Sequence, residues 1–360
     1  MEPTPNPSIL IILFGLFIFG FMLCSLFAWI ASIAWLNLGG TTLPVEDRQP
    51  ARWGLLHLIV IVVLFIFFSN FTLLLLQAAG LKQWIATQPE ESRESLDGLS
   101  QIVSASCGQI LAMFVGTLWI AAQTRCRIEE VGWSIRRFGY DLLVGLGAAL
   151  LFLPLIQILM ATLVYSLKME YDHPLFEGMD KGPVWLMYGG AVFAAVLVAP
   201  MTEEFLFRVL LQGLLEANAK RPFSFKTFFW GSPAKDPAQA TNMVSEAVAP
   251  QSAETSNSDL ELPHQPSNDN QQINSRLPIW PLFVTGVLFG LAHFQYGPSW
   301  LPLILMGILL GYLYRCTHRI WPSWIVHLSL NSISMIGFGI QLFTGTKPKM
   351  PSAWLQWLMW

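Results

Sequence analysis

Apolar residues run almost unbroken through long stretches of this chain, and polar residues gather in the gaps. Eight stretches stand out: Ile9–Leu38, Trp53–Ala79, Ser100–Gln123, Leu142–Tyr165, Val184–Leu215, Pro278–Phe294, Leu301–Tyr314 and Ile320–Phe343. Most have the length of about 17–30 residues that a helix needs to cross about 30 Å of hydrocarbon. The two-residue alternation of a membrane β-barrel strand is absent. The pattern predicts an all-α membrane protein, a bundle of about eight transmembrane helices, with four spans in residues 1–165 and four in 184–343. The opening MEPTPNPS has no Lys or Arg, and the run after it is too long for the apolar core of a signal peptide, so the first span is expected to stay as an anchor.

Composition agrees with the pattern. Hydrophobic residues make up 54% of the 360, charged residues only 12%, and the mean hydropathy is +0.51, which excludes an ordinary soluble domain. The net charge of −3 comes without any basic cluster interleaved with aromatics, so no nucleic-acid partner is expected. Cys24, Cys107, Cys126 and Cys316 are scattered and lack CxxC spacing, which fits small apolar residues better than a disulfide or zinc framework.

Orientation follows from where the basic residues fall. With the N-terminus outside, the inner connections hold thirteen: Arg48 and Arg52; Arg125, Arg127, Arg136 and Arg137; Lys220, Arg221, Lys226, Lys235 and Arg276; Arg315 and Arg319. The outer ones hold six, Lys82, Arg93, Lys168, Lys181, Lys347 and Lys349. Both termini are therefore expected to be non-cytoplasmic and the 220–277 connection cytoplasmic. Within it, 231–275 is rich in Ser, Asn, Gln, Pro and Ala and poor in branched and aromatic residues, which reads as a disordered insertion.

Against this background a few polar groups sit where they are costly. Glu203, Glu204 and Arg208 lie inside the fifth run, where ionisable groups cost at least ~2.5–3.5 kcal/mol each by insertion scales and persist where they pair, face a cavity or do chemistry. Glu204 and Arg208 are i and i+4 and can pair on one helix face, while Glu203 is turned about 100° away and is left free to act as an acid or base. Pro200 removes a backbone donor just upstream. Phe289 and His293 are i and i+4 near the end of the sixth run, and His327 and Asn331 are i and i+4 about two turns into the last. Each pair alone is compatible with an interfacial histidine or an interhelical hydrogen bond. Together, three spans supply groups of the kinds that activate water or stabilise an oxyanion, in a core with almost nothing else ionisable. His57, His173, His264 and His318 are expected to be non-catalytic.

EExxxR (Glu203, Glu204, Arg208), FxxxH (Phe289, His293) and HxxxN (His327, Asn331), in that order, resemble the three-motif signature of the CAAX-protease and bacteriocin-processing family of intramembrane endopeptidases, which includes the type II CAAX prenyl endopeptidases. The likeness covers about Pro200 to Ser332. It implies an eight-helix bundle with a membrane-embedded polar cavity and a membrane-embedded or lipidated protein or peptide as substrate. It also implies that Glu203 with His293 activates water, that His327 with Asn331 stabilises the oxyanion, and that Glu204, Arg208 and Phe289 support them. Two departures are visible: Val209 follows the motif Arg where the family often has Gly, and the 231–275 insertion is not a general family feature. Helix rise sets a further constraint, since it places His327 about 10 Å from its loop but Glu203 and His293 nearer 20 Å.

Two other readings stay open at the level of sequence. Glu203, Glu204, His293 and His327 are possible Zn2+ ligands, although no HExxH or Cys set fixes such a site, so the cofactor is either none or zinc. A non-catalytic immunity, scaffold or transport protein would use the same cluster to bind a ligand or lock the bundle.

Overall fold

The computed structural model describes residues 7–46, 50–167, 184–219, 222–232 and 278–344, and among these no strand forms. Helices α1 (Pro7–Asn37), α2 (Leu55–Ala78), α4 (Glu90–Thr124) and α5 (Phe138–Leu167) are the first four spans, with a short α3 (Leu81–Ala86) between α2 and α4. The fifth span is composite: α6 (Val184–Val192), a π-helical stretch (Phe193–Val198), α7 (Ala199–Glu204), a second π-helical stretch (Phe205–Gln212) and α8 (Gly213–Ala219). A short α9 (Phe225–Trp230) follows, then α10 (Trp280–Leu291), α11 (Trp300–Thr317) and α12 (Ile320–Thr344). Seven of these spans are long and apolar enough to cross a membrane, and α10 is a shorter apolar helix, so the chain is a multi-pass membrane protein built on about eight helices.

The expected spans match the helices closely, with one clear extension. α4 starts ten residues before the expected Ser100, because Pro89 caps its N-terminus and Glu90 and Glu91 lie in its first turn, where the helix dipole favours acidic groups. Of the 231–275 insertion, only Gly231 and Ser232 fall within the described residues, as do neither His173 nor His264.

Helix association inside hydrocarbon relies on close packing rather than on exclusion of water. α10 and α11 show this at four glycines. A Cβ on Gly286 would come within 2.6 Å of Ile308, one on Gly290 within 2.4 Å of Ile304, and one on Gly307 within 2.8 Å of the Gly286 carbonyl oxygen. Gly286 and Gly290, and Gly307 and Gly311, are each four apart, so each helix offers a small-residue groove to the other. The resulting core, with Phe289, Met306, Leu310, Val326 and Leu330, also draws in Leu153 and Ile156 of α5.

The connections expected on the inner side gather at one end of the bundle. Arg52 Nη1 donates to the Arg125 carbonyl at 3.1 Å, the Ser232 N–H to the Arg52 carbonyl at 2.9 Å, and Arg315 Nη1 to the Pro278 carbonyl at 2.9 Å. At the same end Arg319, in the turn between α11 and α12, turns all three of its guanidinium nitrogens to two carboxylates. Nε donates to Asp141 Oδ2 at 2.7 Å and Nη2 to Asp141 Oδ1 at 2.8 Å, while Nη1 and Nη2 also reach Glu46. Asp141 is fully buried in the first turn of α5, and Glu46 belongs to the α1–α2 connection. His318, with φ 53° in the same turn, bonds the Glu46 carbonyl oxygen through Nε2 at 2.9 Å, and His57 accepts the Gly54 N–H on Nδ1 at 3.1 Å. Both histidines thus hold backbone.

Candidate active site

The composite span owes its shape to Pro200. In the first π-helical stretch the Ala199 N–H donates to the Ala194 carbonyl, five residues back. The next donor in that register would be residue 200, serving Ala195, and proline has no N–H. The orphaned Ala195 carbonyl is taken by Asn331, whose Nδ2 donates to it at 2.7 Å from α12. The second stretch is held in a similar way, by the Trp53 indole N–H donating to the Leu210 carbonyl at 3.0 Å. Wide turns of this kind concentrate at functional sites, and here they bracket the two glutamates.

Glu204 and Arg208 form the expected pair, both fully buried, with Arg208 Nε donating to Glu204 Oε2 at 3.1 Å. Glu204 Oε1 meets His327 Nδ1 at 3.2 Å, and Ser323, one turn before His327, lies beside the same carboxylate with its hydroxyl donating to the Ile320 carbonyl at 3.0 Å. Glu203 does not point away as the helical wheel suggests. Its Oε2 lies 3.8 Å from His327 Nε2 and 3.6 Å from His293 Nε2, so the two carboxylates address opposite nitrogens of one imidazole. His293, just past the end of α10, sets its Nδ1 2.9 Å from the Phe289 carbonyl oxygen, which leaves Nε2 toward Glu203.

Phe289 is the floor of the site. Fully buried, it has the His293 ring centroid at 5.1 Å, the His327 ring edge-on at 5.6 Å, Phe207 at 5.4 Å, and the Arg208 guanidinium over its face at 4.9 Å. That cation–π contact and the Glu204 carboxylate on Nε together fix the guanidinium.

The unequal depths counted from the loops are reconciled by how far the composite span overshoots. Trp133 meets Phe205 at a tilt and Trp321 edge-on, with ring centroids at 5.6 and 6.0 Å, and a Cβ on Gly132 would be 3.0 Å from Val209 and 3.9 Å from the Ile320 nitrogen. Val209, not the end of α8, is therefore level with the start of α12. The residues from 210 to 219 run on past it by about 15 Å. The same contact explains the departure at Val209: its bulk is received by Gly132, whose φ of +92° suits glycine.

The structure thus brings Glu203, Glu204, Arg208, Phe289, His293 and His327 together. It places Asn331 one turn beyond His327 with its amide on the Ala195 carbonyl. Ser323 and the Ala195 carbonyl were not marked by the sequence reading, although Ser323, His327 and Asn331 fall at i, i+4 and i+8. The four possible zinc ligands do not converge on a point, because Glu204 is held on the far nitrogen of His327 by Arg208. Among the described residues no three His, Cys, Asp or Glu side chains form a metal-holding group, so no step below is routed through a metal.

Comparison with known proteins agrees with this site in part. Residues 266–333 match the family model described as type II CAAX prenyl endopeptidase Rce1-like. The matched segment holds Phe289, His293, His327 and Asn331 but not the two glutamates, and it covers less than half of the chain. No curated protein and no solved structure matches.

Proposed function

We propose, from that likeness to type II CAAX prenyl endopeptidases, that this chain is an intramembrane endopeptidase that cuts a lipidated or membrane-embedded protein or peptide near its membrane-bound end. The observation that carries the reading is Glu203 Oε2, a buried oxygen with no hydrogen-bond partner among the described residues, facing the Nε2 atoms of two histidines from two other spans. Gaps of 3.6 and 3.8 Å exceed hydrogen-bond length yet suit a shared water or substrate atom.

The chemistry follows from the atoms. Glu203 and His293 hold a water between them; the carboxylate takes its proton as the oxygen attacks the scissile carbonyl. Charge developing on the carbonyl oxygen is met by donors. Glu204, an acceptor only when ionised, accepts a hydrogen bond from the His327 Nδ1–H, so Nε2 can donate to the oxyanion only in the doubly protonated ring. The second N–H of Asn331 Nδ2 is a further donor one turn away. The proton on Glu203 then passes to the leaving amine as the C–N bond breaks, giving a carboxylate and an amine.

Cleavage of membrane-anchored peptides, prenylated and not, by the full chain and by Glu203→Gln tests this. Loss of the base is expected to lower kcat about 10²–10⁴-fold, and chelator should leave wild-type turnover unchanged. Equal product from both proteins would refute Glu203 as the base, and no product from either would refute the proposal and favour a ligand-binding role for the cluster. Loss of wild-type turnover with chelator, restored by zinc, would replace the mechanism with a metal-dependent one.

A further inference from the structure

Glu204, Arg208, Gln212 and Glu216 follow one another at intervals of four on the composite span, and all four side chains are buried. The line is about 18 Å long and leads from the carboxylate pair toward the end where the basic connections gather. Only its two ends are closed by hydrogen bonds: Arg208 Nε to Glu204 Oε2 at 3.1 Å, and Gln212 Nε2 to Glu216 Oε1 at 2.9 Å. Between them Arg208 Nη1 and Nη2 carry four N–H groups, Gln212 Oε1 carries two lone pairs, and none of these three atoms has a hydrogen-bond partner among the described residues.

Buried donors and acceptors are almost always matched, and here an unmatched donor set and an unmatched acceptor stand one turn apart on one face. Something small that both accepts and donates fits between them. A Cβ on Gly311 would come within 2.8 Å of Gln212 Oε1 and 2.7 Å of Leu282 Cδ1, so only glycine at 311 lets the amide lie this close to α11. The Gln212 amide is fixed in this orientation because its Nε2 also donates to the Gly311 carbonyl at 2.9 Å. Carboxylates at both ends, with Glu203 adding its own field at Arg208, disfavour an anion.

We infer that ordered water occupies this gap, accepting from Arg208 Nη and donating to Gln212 Oε1, and so closes a hydrogen-bonded line from Glu216 to Glu204. Gln212 is then a positioning residue: through the water it holds Arg208, and through Arg208 it holds Glu204 and His327. The water site stands on these unmatched atoms alone; only its catalytic consequence rests on the proposed function.

A lipid-embedded structure of the full chain, at a resolution that shows ordered solvent, tests the site without any assay. Density within hydrogen-bond reach of both Arg208 Nη and Gln212 Oε1 is expected. A direct bond between the two side chains, or bromide taking the place of that density in a halide soak, would overturn the inference. Turnover tests the consequence: Gln212→Leu should lower kcat about tenfold, the scale of one lost hydrogen bond, with KM unchanged. Wild-type kcat in Gln212→Leu would refute the positioning role. Density in place in a chain that cleaves nothing would keep the water site and remove the proposed function.

Discussion

At the scale of single residues the central relation is between Glu204 and His327. A carboxylate shared by a guanidinium and an imidazole fixes which ring nitrogen faces Glu203, much as an orienting aspartate does in hydrolytic triads. Glu204→Gln keeps the shape but leaves the fully buried Arg208 without its paired charge. Breaking such a pair from one side costs about 3–5 kcal/mol, whereas replacing both partners with apolar groups of similar size is often neutral. Glu204→Gln is therefore expected to be markedly less stable in thermal melts, and Glu204→Gln with Arg208→Met to regain most of that stability. Both should remain inactive in peptide cleavage, since neither restores the orientation of His327. Recovery of turnover in the double variant would show that the pair serves stability alone.

The element that decides the geometry is the composite span, and its break couples Pro200 to Asn331. Replacing Asn331 with Leu leaves the Ala195 carbonyl unsatisfied, at a cost of about 1–3 kcal/mol. Pro200→Ala restores a backbone N–H at the position that would serve Ala195. The destabilisation by Asn331→Leu should therefore be much smaller in the Pro200→Ala background, and a double-mutant cycle of melting free energies reads the coupling directly. Turnover should not recover in the same double variant, because the donor proposed for the oxyanion is still missing. Additive stabilities would show that Asn331 does not stand in for the proline.

This coupling also marks where sequence reading stops. The eight spans and the meeting of three motifs were legible, because long apolar runs and i, i+4 polar pairs are local patterns. The overshoot of the composite span was not, because depth was counted from loops and the level of Val209 is set by Gly132 on a distant connection. The turn of Glu203 toward His327 was equally hidden, since an ideal helical wheel does not describe a helix widened on both sides of the motif. Arg319 read only as one more basic loop residue, and Asp141 drew no notice at all. Their pairing depends on two helix ends meeting in space.

At the scale of the whole molecule that ion cluster joins the α1–α2 connection, α5 and the α11–α12 turn, and it makes an acid-sensitive joint. The hydrogen bond from Arg319, with its charge and that of Arg137, holds the Glu46 carboxyl below its ordinary value of 4.5. A lowered folded-state value stabilises above the unfolded-state value, and that contribution is lost as pH falls through the folded-state value. Thermal stability in detergent should therefore decline on acidification below about 4.5. Glu46→Gln should be less stable than wild type at neutral pH, with the gap closing in acid. A constant gap at all pH values would show that Glu46 does not contribute through its charge.

The partners of Arg319 lie 178 and 273 residues earlier in the chain. During synthesis Asp141 and Glu46 emerge long before Arg319, so until the last hairpin arrives Glu46 has only Arg137 to meet it and buried Asp141 waits for its guanidinium. A nascent chain stopped short of residue 319 carries that uncancelled charge at the foot of α5. Closure of the bundle at this joint therefore waits for the α11–α12 turn to be made.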